Sequence, residues 1–202
     1  RAPDALLHEL ATGRTTFLGS VADAAFNKAG TLLAYTVDAT VRDGNGVFVI
    51  DLATNTTRVV DNDSLRYSRL TWNDRGTGLA VLKGREVERM RERDNRLLVV
   101  PDLDAPRTDS PRTVVLDSRN VTPGFMISER APLAFSDDGA RVFFGLIPQS
   151  PVPDSARRRS TDSIADVDIW RTSDERIQSA QMIQAEQDRN RTYRQAFDLT
   201  TS

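Results

Sequence analysis

The chain has 202 residues, of which 39% are hydrophobic and 28% charged, and its formal net charge is −2. That balance is enough for a buried core, contains no apolar run long enough to span a bilayer, and gives no electrostatic case for nucleic acid or anionic lipid as a partner. The absence of cysteine excludes disulfides and cysteine-ligated metals without fixing a compartment, and no signal peptide is visible at Arg1.

Taken in chain order, the sequence alternates two motifs. Glu9-Leu10-Ala11-Thr12-Gly13 ends a first hydrophobic run, on which His8 reads as a strand side chain. Phe26 then closes a strand, and Asn27-Lys28-Ala29-Gly30 supplies the Asn-first, Gly-last pattern of a type I turn. A β-rich run follows from Leu32 to Val37, and Asp43-Gly44-Asn45-Gly46 reads as the next hairpin, because it joins two strands and so is not a phosphate cradle. The run Val47–Ile50 leads into Asp51-Leu52-Ala53-Thr54-Asn55, with Asn55 and the earlier Gly13 suited to positive φ; a fourth strand covers Thr57 to Val60.

The same order returns twice. Trp72-Asn73-Asp74-Arg75-Gly76 precedes Leu79–Leu82, then Leu97–Val100 leads to Asp102-Leu103-Asp104, with Thr113–Leu116 after it. Phe135-Ser136-Asp137-Asp138-Gly139 precedes Val142–Leu146, and Asp198-Leu199-Thr200-Thr201 ends the series. Leu10 and Leu52 stand 42 positions apart, which matches the roughly 40–45 residue period of a four-stranded propeller blade. A β-sandwich also has short strands but gives no reason for two turn motifs to repeat in fixed order. The expectation is therefore an all-β chain, a partial β-propeller of four-stranded antiparallel blades forming one domain over 1–202. It would hold the end of one blade (1–20), blades over 21–61 and 62–118, and an incomplete blade over 119–202. Because a propeller closes with typically four to eight blades, this phase predicts a piece of a longer protein, whose exposed sheet edges would invite aggregation in isolation.

The third blade carries an insertion, at about 148–190: Gly139 to Asp198 spans 59 positions against 21 from Gly30 to Asp51 and 26 from Gly76 to Asp102. Loop-closure entropy charges only about 1 kcal/mol for that lengthening. Pro148 to Ser163, with Arg157-Arg158-Arg159, reads as a loop; Val167-Asp168-Ile169-Trp170 reads as a short strand. Thr172-Ser173-Asp174-Glu175 is a capping-box pattern for a helix presenting Ile177, Ala180 and Ile183 on one face. Arg85 to Arg96, which mixes both signs between two strands, reads as a solvated loop or helical turn.

Catalytic, cofactor-binding and metal residues are expected to be none. There is one histidine, no G-x-S-x-G elbow and no HExxH. Asp61-Asn62-Asp63 and the set Asp162, Asp166, Asp168 lack the Gly and Glu positions of an EF-hand loop and read as turn residues.

The segments Ala25-Phe26-Asn27-Lys28-Ala29-Gly30-Thr31-Leu32-Leu33-Ala34-Tyr35, Leu70-Thr71-Trp72-Asn73 to Lys83-Gly84, and Phe135 to Gly139 resemble the N-terminal propeller of bacterial prolyl oligopeptidase family serine peptidases. Asp168-Ile169-Trp170, with Gln184-Ala185-Glu186-Gln187-Asp188-Arg189-Asn190-Arg191-Thr192-Tyr193, is similar to an insertion in a large-bodied branch of that family. The resemblance implies a two-domain parent in which the propeller caps a C-terminal α/β-hydrolase domain of the same chain and restricts entry to peptide substrates. Serine, aspartate and histidine would lie downstream of Ser202, so no catalytic residue is carried onto this sequence, and a periplasmic or secreted location is favoured. The blade motifs are shared by TolB-like non-catalytic propellers that act as protein-binding scaffolds, and that alternative stays open.

Overall fold

The computed structural model describes residues 2–104, 113–152 and 190–200. Nearly all regular structure among them is antiparallel strand, arranged as a partial β-propeller. A hairpin of β1 (Ala5–His8) and β2 (Thr15–Leu18) comes first. A four-stranded meander follows, β3 (Val21–Phe26), β4 (Leu32–Val37), β5 (Gly46–Asp51) and β6 (Thr56–Asn62), paired in chain order. The second meander repeats it with β7 (Arg66–Trp72), β8 (Leu79–Arg85), β9 (Asp94–Val100) and β10 (Val114–Leu116). In the third sheet the first strand is split into β11 (Phe125–Ile127) and β12 (Ala134–Phe135), both paired with β13 (Arg141–Pro148), which pairs on its other side with β14 (Tyr193–Asp198). We call the strands of each sheet a to d in that order, so that β1 and β2 correspond to c and d.

Burial explains why the b strands are apolar without alternation. β4 and β8 each lie in the middle of a sheet that is packed on both faces. Leu79 and Val81 of β8 pack toward Leu32, Val47 and Val49 of the first blade, whereas Ala80 and Leu82 pack toward Val142 and Phe144 of the third. Each leucine or valine so buried contributes about 1.5–3 kcal/mol. A strand facing water on one side would alternate, so the continuous run is the signature of a sheet sandwiched between neighbours.

The two sequence motifs meet in space and form one clasp. The N–H of each turn glycine donates to the first turn residue: Gly30 to Asn27 O at 2.9 Å, Gly76 to Asn73 O at 3.0 Å and Gly139 to Ser136 O at 2.8 Å. All three glycines have φ near +70°, which only glycine adopts without strain. The leucine of the acid-leucine pair then donates its N–H to the residue just after that glycine: Leu52 to Thr31 O at 3.0 Å, Leu103 to Thr77 O at 2.8 Å and Leu199 to Ala140 O at 2.8 Å. The alternation of motifs in sequence is thus the trace of a hydrogen bond that ties strand c to the a–b turn.

Strand a is irregular in every blade. Its register shifts between Val21 and Asp23 in the first and between Ser68 and Thr71 in the second, and in the third it breaks between β11 and β12. In the second blade Arg69 takes a φ of 60°, sparsely populated for a side chain of its size, and the freed N–H of Leu70 donates to Asp23 Oδ2 at 3.0 Å.

Arg85–Arg96 departs in part from its expected loop: Arg85 ends β8, and Asp94 to Arg96 begin β9. The cause is a cross-strand pair, Arg85 opposite Asp94 with a 3.4 Å ion pair, which extends the hairpin beyond its apolar stretch. Asp43-Gly44-Asn45-Gly46 does join two strands, through a 3₁₀ turn at Arg42–Gly44. The strand expected at 167–170, the helix expected from Thr172, and Asp162, Asp166 and Asp168 lie outside the described residues.

Candidate functional site

The a–b and c–d turns share one end of the strands. The b–c loops lie at the other, and that of blade two, with the β11–β12 break of blade three, forms a groove of about 690 Å³ lined by Glu86–Arg93, Asn95, Glu129 and Arg130. Its floor is fixed by Asn95, buried at the start of β9, whose side-chain amide donates to Ile127 O at 2.9 Å across the blade boundary. Gly84 lies beside it so closely that a β-carbon there would sit 1.9 Å from Asn95 Oδ1, so this junction requires glycine.

Above the floor, the loop of blade two pairs with the first residues after β13. Arg91 N–H donates to Ser150 O at 2.9 Å and Val152 N–H to Arg89 O at 2.8 Å, a short antiparallel ladder centred on Met90 opposite Pro151. Gln149 adds a side-chain copy of a strand pairing: its Oε1 accepts from Glu92 N–H at 3.1 Å and its Nε2 donates to Glu92 O at 2.8 Å. Ion pairs frame the groove. Arg93 Nη1 reaches both carboxylate oxygens of Glu129 at 2.7 and 2.8 Å, and Arg130 Nη2 meets Glu92 Oε1 at 2.5 Å. Arg130 also bonds Asn190 on the returning chain. Sequence reasoning foresaw a loop here but not this ladder, whose partners lie some 60 positions apart.

A second polar cluster lies at the junction of blades one and two. Lys83 Nζ, in β8, bonds Asp61 Oδ2 at 2.8 Å and Asp63 Oδ2 at 3.1 Å, and Tyr67 donates its hydroxyl to Asp61 Oδ2 at 2.5 Å. Lys83 and Tyr67 are buried. Burial alone would lower the lysine, but the hydrogen bonds and charges of the two aspartates outweigh it and hold Lys83 above its ordinary value. Burial likewise opposes ionisation of Asp63, and the Lys83 bond and charge reverse it, holding the carboxyl below its ordinary value. The Tyr67 hydroxyl is pushed up by burial and then by its bond to Asp61. Asp61 and Asp63, read from sequence as turn residues, are the counter-ions of a lysine twenty positions away. The missed signal was Lys83 itself, a lone charge following Leu79–Leu82.

His8 is on β1, opposite Thr15 and hydrogen-bonded to its hydroxyl at 2.8 Å. Among the described residues no group of three or more His, Asp or Glu is arranged to hold a metal ion, and no helix is long and apolar enough to cross a membrane.

No protein-family model and no curated protein matches the sequence. Solved structures similar in backbone are propeller-bearing. TolB from Acinetobacter baumannii is 15% identical at a TM-score of 0.44, covering 71% of this chain and 32% of its own. An acylaminoacyl peptidase from Pyrococcus horikoshii is 12% identical at 0.45, covering 74% and 24%. The β-propeller domain of the Trilobed protease from Pyrococcus furiosus is 10% identical at 0.32, covering 74% and 56%. The chain thus spans about a quarter to a third of the length of the first two.

Proposed function

We propose that this chain is the propeller portion of a prolyl oligopeptidase-type serine peptidase, where it limits peptide access to an α/β-hydrolase domain encoded after Ser202. The observation that carries the reading is the ladder of Arg89–Glu92 with Gln149–Val152. It ties the chain leaving β13 to the blade-two b–c loop beside the groove, at the end of the blades opposite the leucine clasp. Binding loops held by a rigid scaffold are the usual way a propeller face acquires selectivity. The resemblance of Ala25–Tyr35 and Gln184–Tyr193 to that peptidase family points the same way.

The test is to read the coding sequence beyond Ser202, express the complete protein, and treat it with a serine-directed fluorophosphonate probe before assaying peptides of increasing length. The expected result is a labelled serine in a G-x-S-x-G elbow, with short peptides cleaved and folded proteins spared. A ring that closes without such a motif, with no labelling, overturns the proposal and leaves a non-catalytic binding propeller of the TolB-like kind.

A further inference from the structure

Beside the main groove, a smaller cleft of about 280 Å³ opens between the blade-two loop and the two chain segments that flank the insertion. Its charged lining is three arginines, Arg91, Arg130 and Arg191, against one glutamate, Glu92. Glu92 is already held by Arg130. Arg91 and Arg191 are exposed and have no ion-pair partner among the described residues. In a chain whose net charge is −2, this is a local reversal of sign.

Both arginines stand on backbone held by hydrogen bonds, their own or those of neighbouring residues. Arg91 is pinned by its N–H bond to Ser150 O, and Arg191 lies between Asn190, which Arg130 holds, and Tyr193, which pairs with Leu146 at the start of β14. The cleft also has an apolar side, made by Ile147, Pro148 and the ring of Tyr193, which is half-exposed and set edge-on against Phe125 at 5.6 Å. Guanidinium groups recognise carboxylates through paired N–H donors, and anchoring them in advance reduces the ordering cost of binding.

We propose that this cleft binds a carboxylate attached to an apolar group, as at the C-terminus of a peptide, with Arg91 and Arg191 as the two cationic jaws and Tyr193 under the apolar part. The proposal deepens the peptidase reading by naming the substrate feature recognised, but it is a statement about binding and its test needs no catalysis.

The experiment measures binding of fluorescein-labelled tripeptides Ala-Ala-Phe to the complete protein by fluorescence anisotropy. Three peptides are compared: a free C-terminal carboxylate, a C-terminal amide, and an amide with glutamate in the middle position. The free acid is expected to bind at least tenfold more tightly than the plain amide. Arg91→Ala and Arg191→Ala are each expected to weaken it about tenfold, and added salt to weaken it further. Tight binding of the glutamate amide would support the site with a side-chain carboxylate as its source; weak binding assigns it to the chain terminus. Equal affinity for acid and plain amide, no binding of any peptide, or indifference to both substitutions overturns the proposal. Both arginines are exposed, so an unchanged thermal midpoint is expected for each variant and separates lost binding from lost folding. The peptidase reading fails separately, by absence of a labelled serine.

Discussion

The two blade junctions solve the same packing problem with opposite electrostatics. Both join apolar faces of comparable make-up, and both use a buried asparagine at the start of strand c to grip the next blade: Asn45 donates to Leu65 O at 3.1 Å and Asn95 to Ile127 O at 2.9 Å. Next to the first, the cation is buried, with Lys83 between two partly exposed aspartates. Next to the second, it is peripheral, with Arg93–Glu129 and Arg130–Glu92 along the wall of an open groove. An internal charge fixes a junction because it has no alternative partner; a peripheral one can exchange its partner for water or ligand. The first junction is therefore the more firmly paired and the second the more adaptable.

The contrast is sharpest under Lys83→Met. Removing the cation leaves two carboxylates facing each other beside a buried tyrosine, and the expected loss is about 3 kcal/mol, seen as a lower thermal midpoint. Adding Asp61→Asn and Asp63→Asn to that variant is expected to restore most of it. The pH profile gives an independent reading. Asp63 is held below its ordinary value when folded, so its contribution is present above about pH 4 and is lost as pH falls through the lowered value. Lys83 is held above its ordinary value, so its contribution is complete below about pH 10 and is lost at higher pH. In Lys83→Met the acid limb should reverse sign, since protonating the carboxylates then relieves repulsion. An unchanged acid limb would mean that the cluster does not hold the junction.

At the second junction the largest effect is expected from Gly84→Ala, about 2 kcal/mol, because the added carbon collides with Asn95 and displaces its grip on Ile127. Asn45→Ala tests the matching grip of the first junction. It removes the donor to Leu65 and the acceptor of the Ala39 N–H, and about 1–2 kcal/mol is expected by denaturant titration. Arg93→Ala should cost less, about 0.5–1 kcal/mol, and the difference from wild type should shrink in high salt. If Arg93→Ala proves as damaging as Lys83→Met, the distinction between a firmly paired and an adaptable junction collapses.

How much of this could be read from sequence follows from the range of each interaction. The blade repeat was legible because turn glycines, asparagines and acid-leucine pairs act within a few residues. The inter-blade features were not, since Lys83 with Asp61, or Gln149 with Glu92, depend on how successive sheets stack. Arg69 at positive φ carried no signal either; the N–H of the next residue, Leu70, donates to Asp23 and the Arg69 side chain donates to Glu129 O, both in other blades. Of the groove, the sequence showed only that one loop was long and charged.

The clasp between leucine and turn has a consequence for how such a chain can change. It sits at the end of the strands opposite the b–c loops, so strand register is set away from them. Connections of 8 residues between β4 and β5 and of 8 between β8 and β9 are carried on the same clasped frame. Only the parts of those segments that lie outside the Asn45 and Asn95 grips on the next blade can therefore be exchanged without touching how the blades stack.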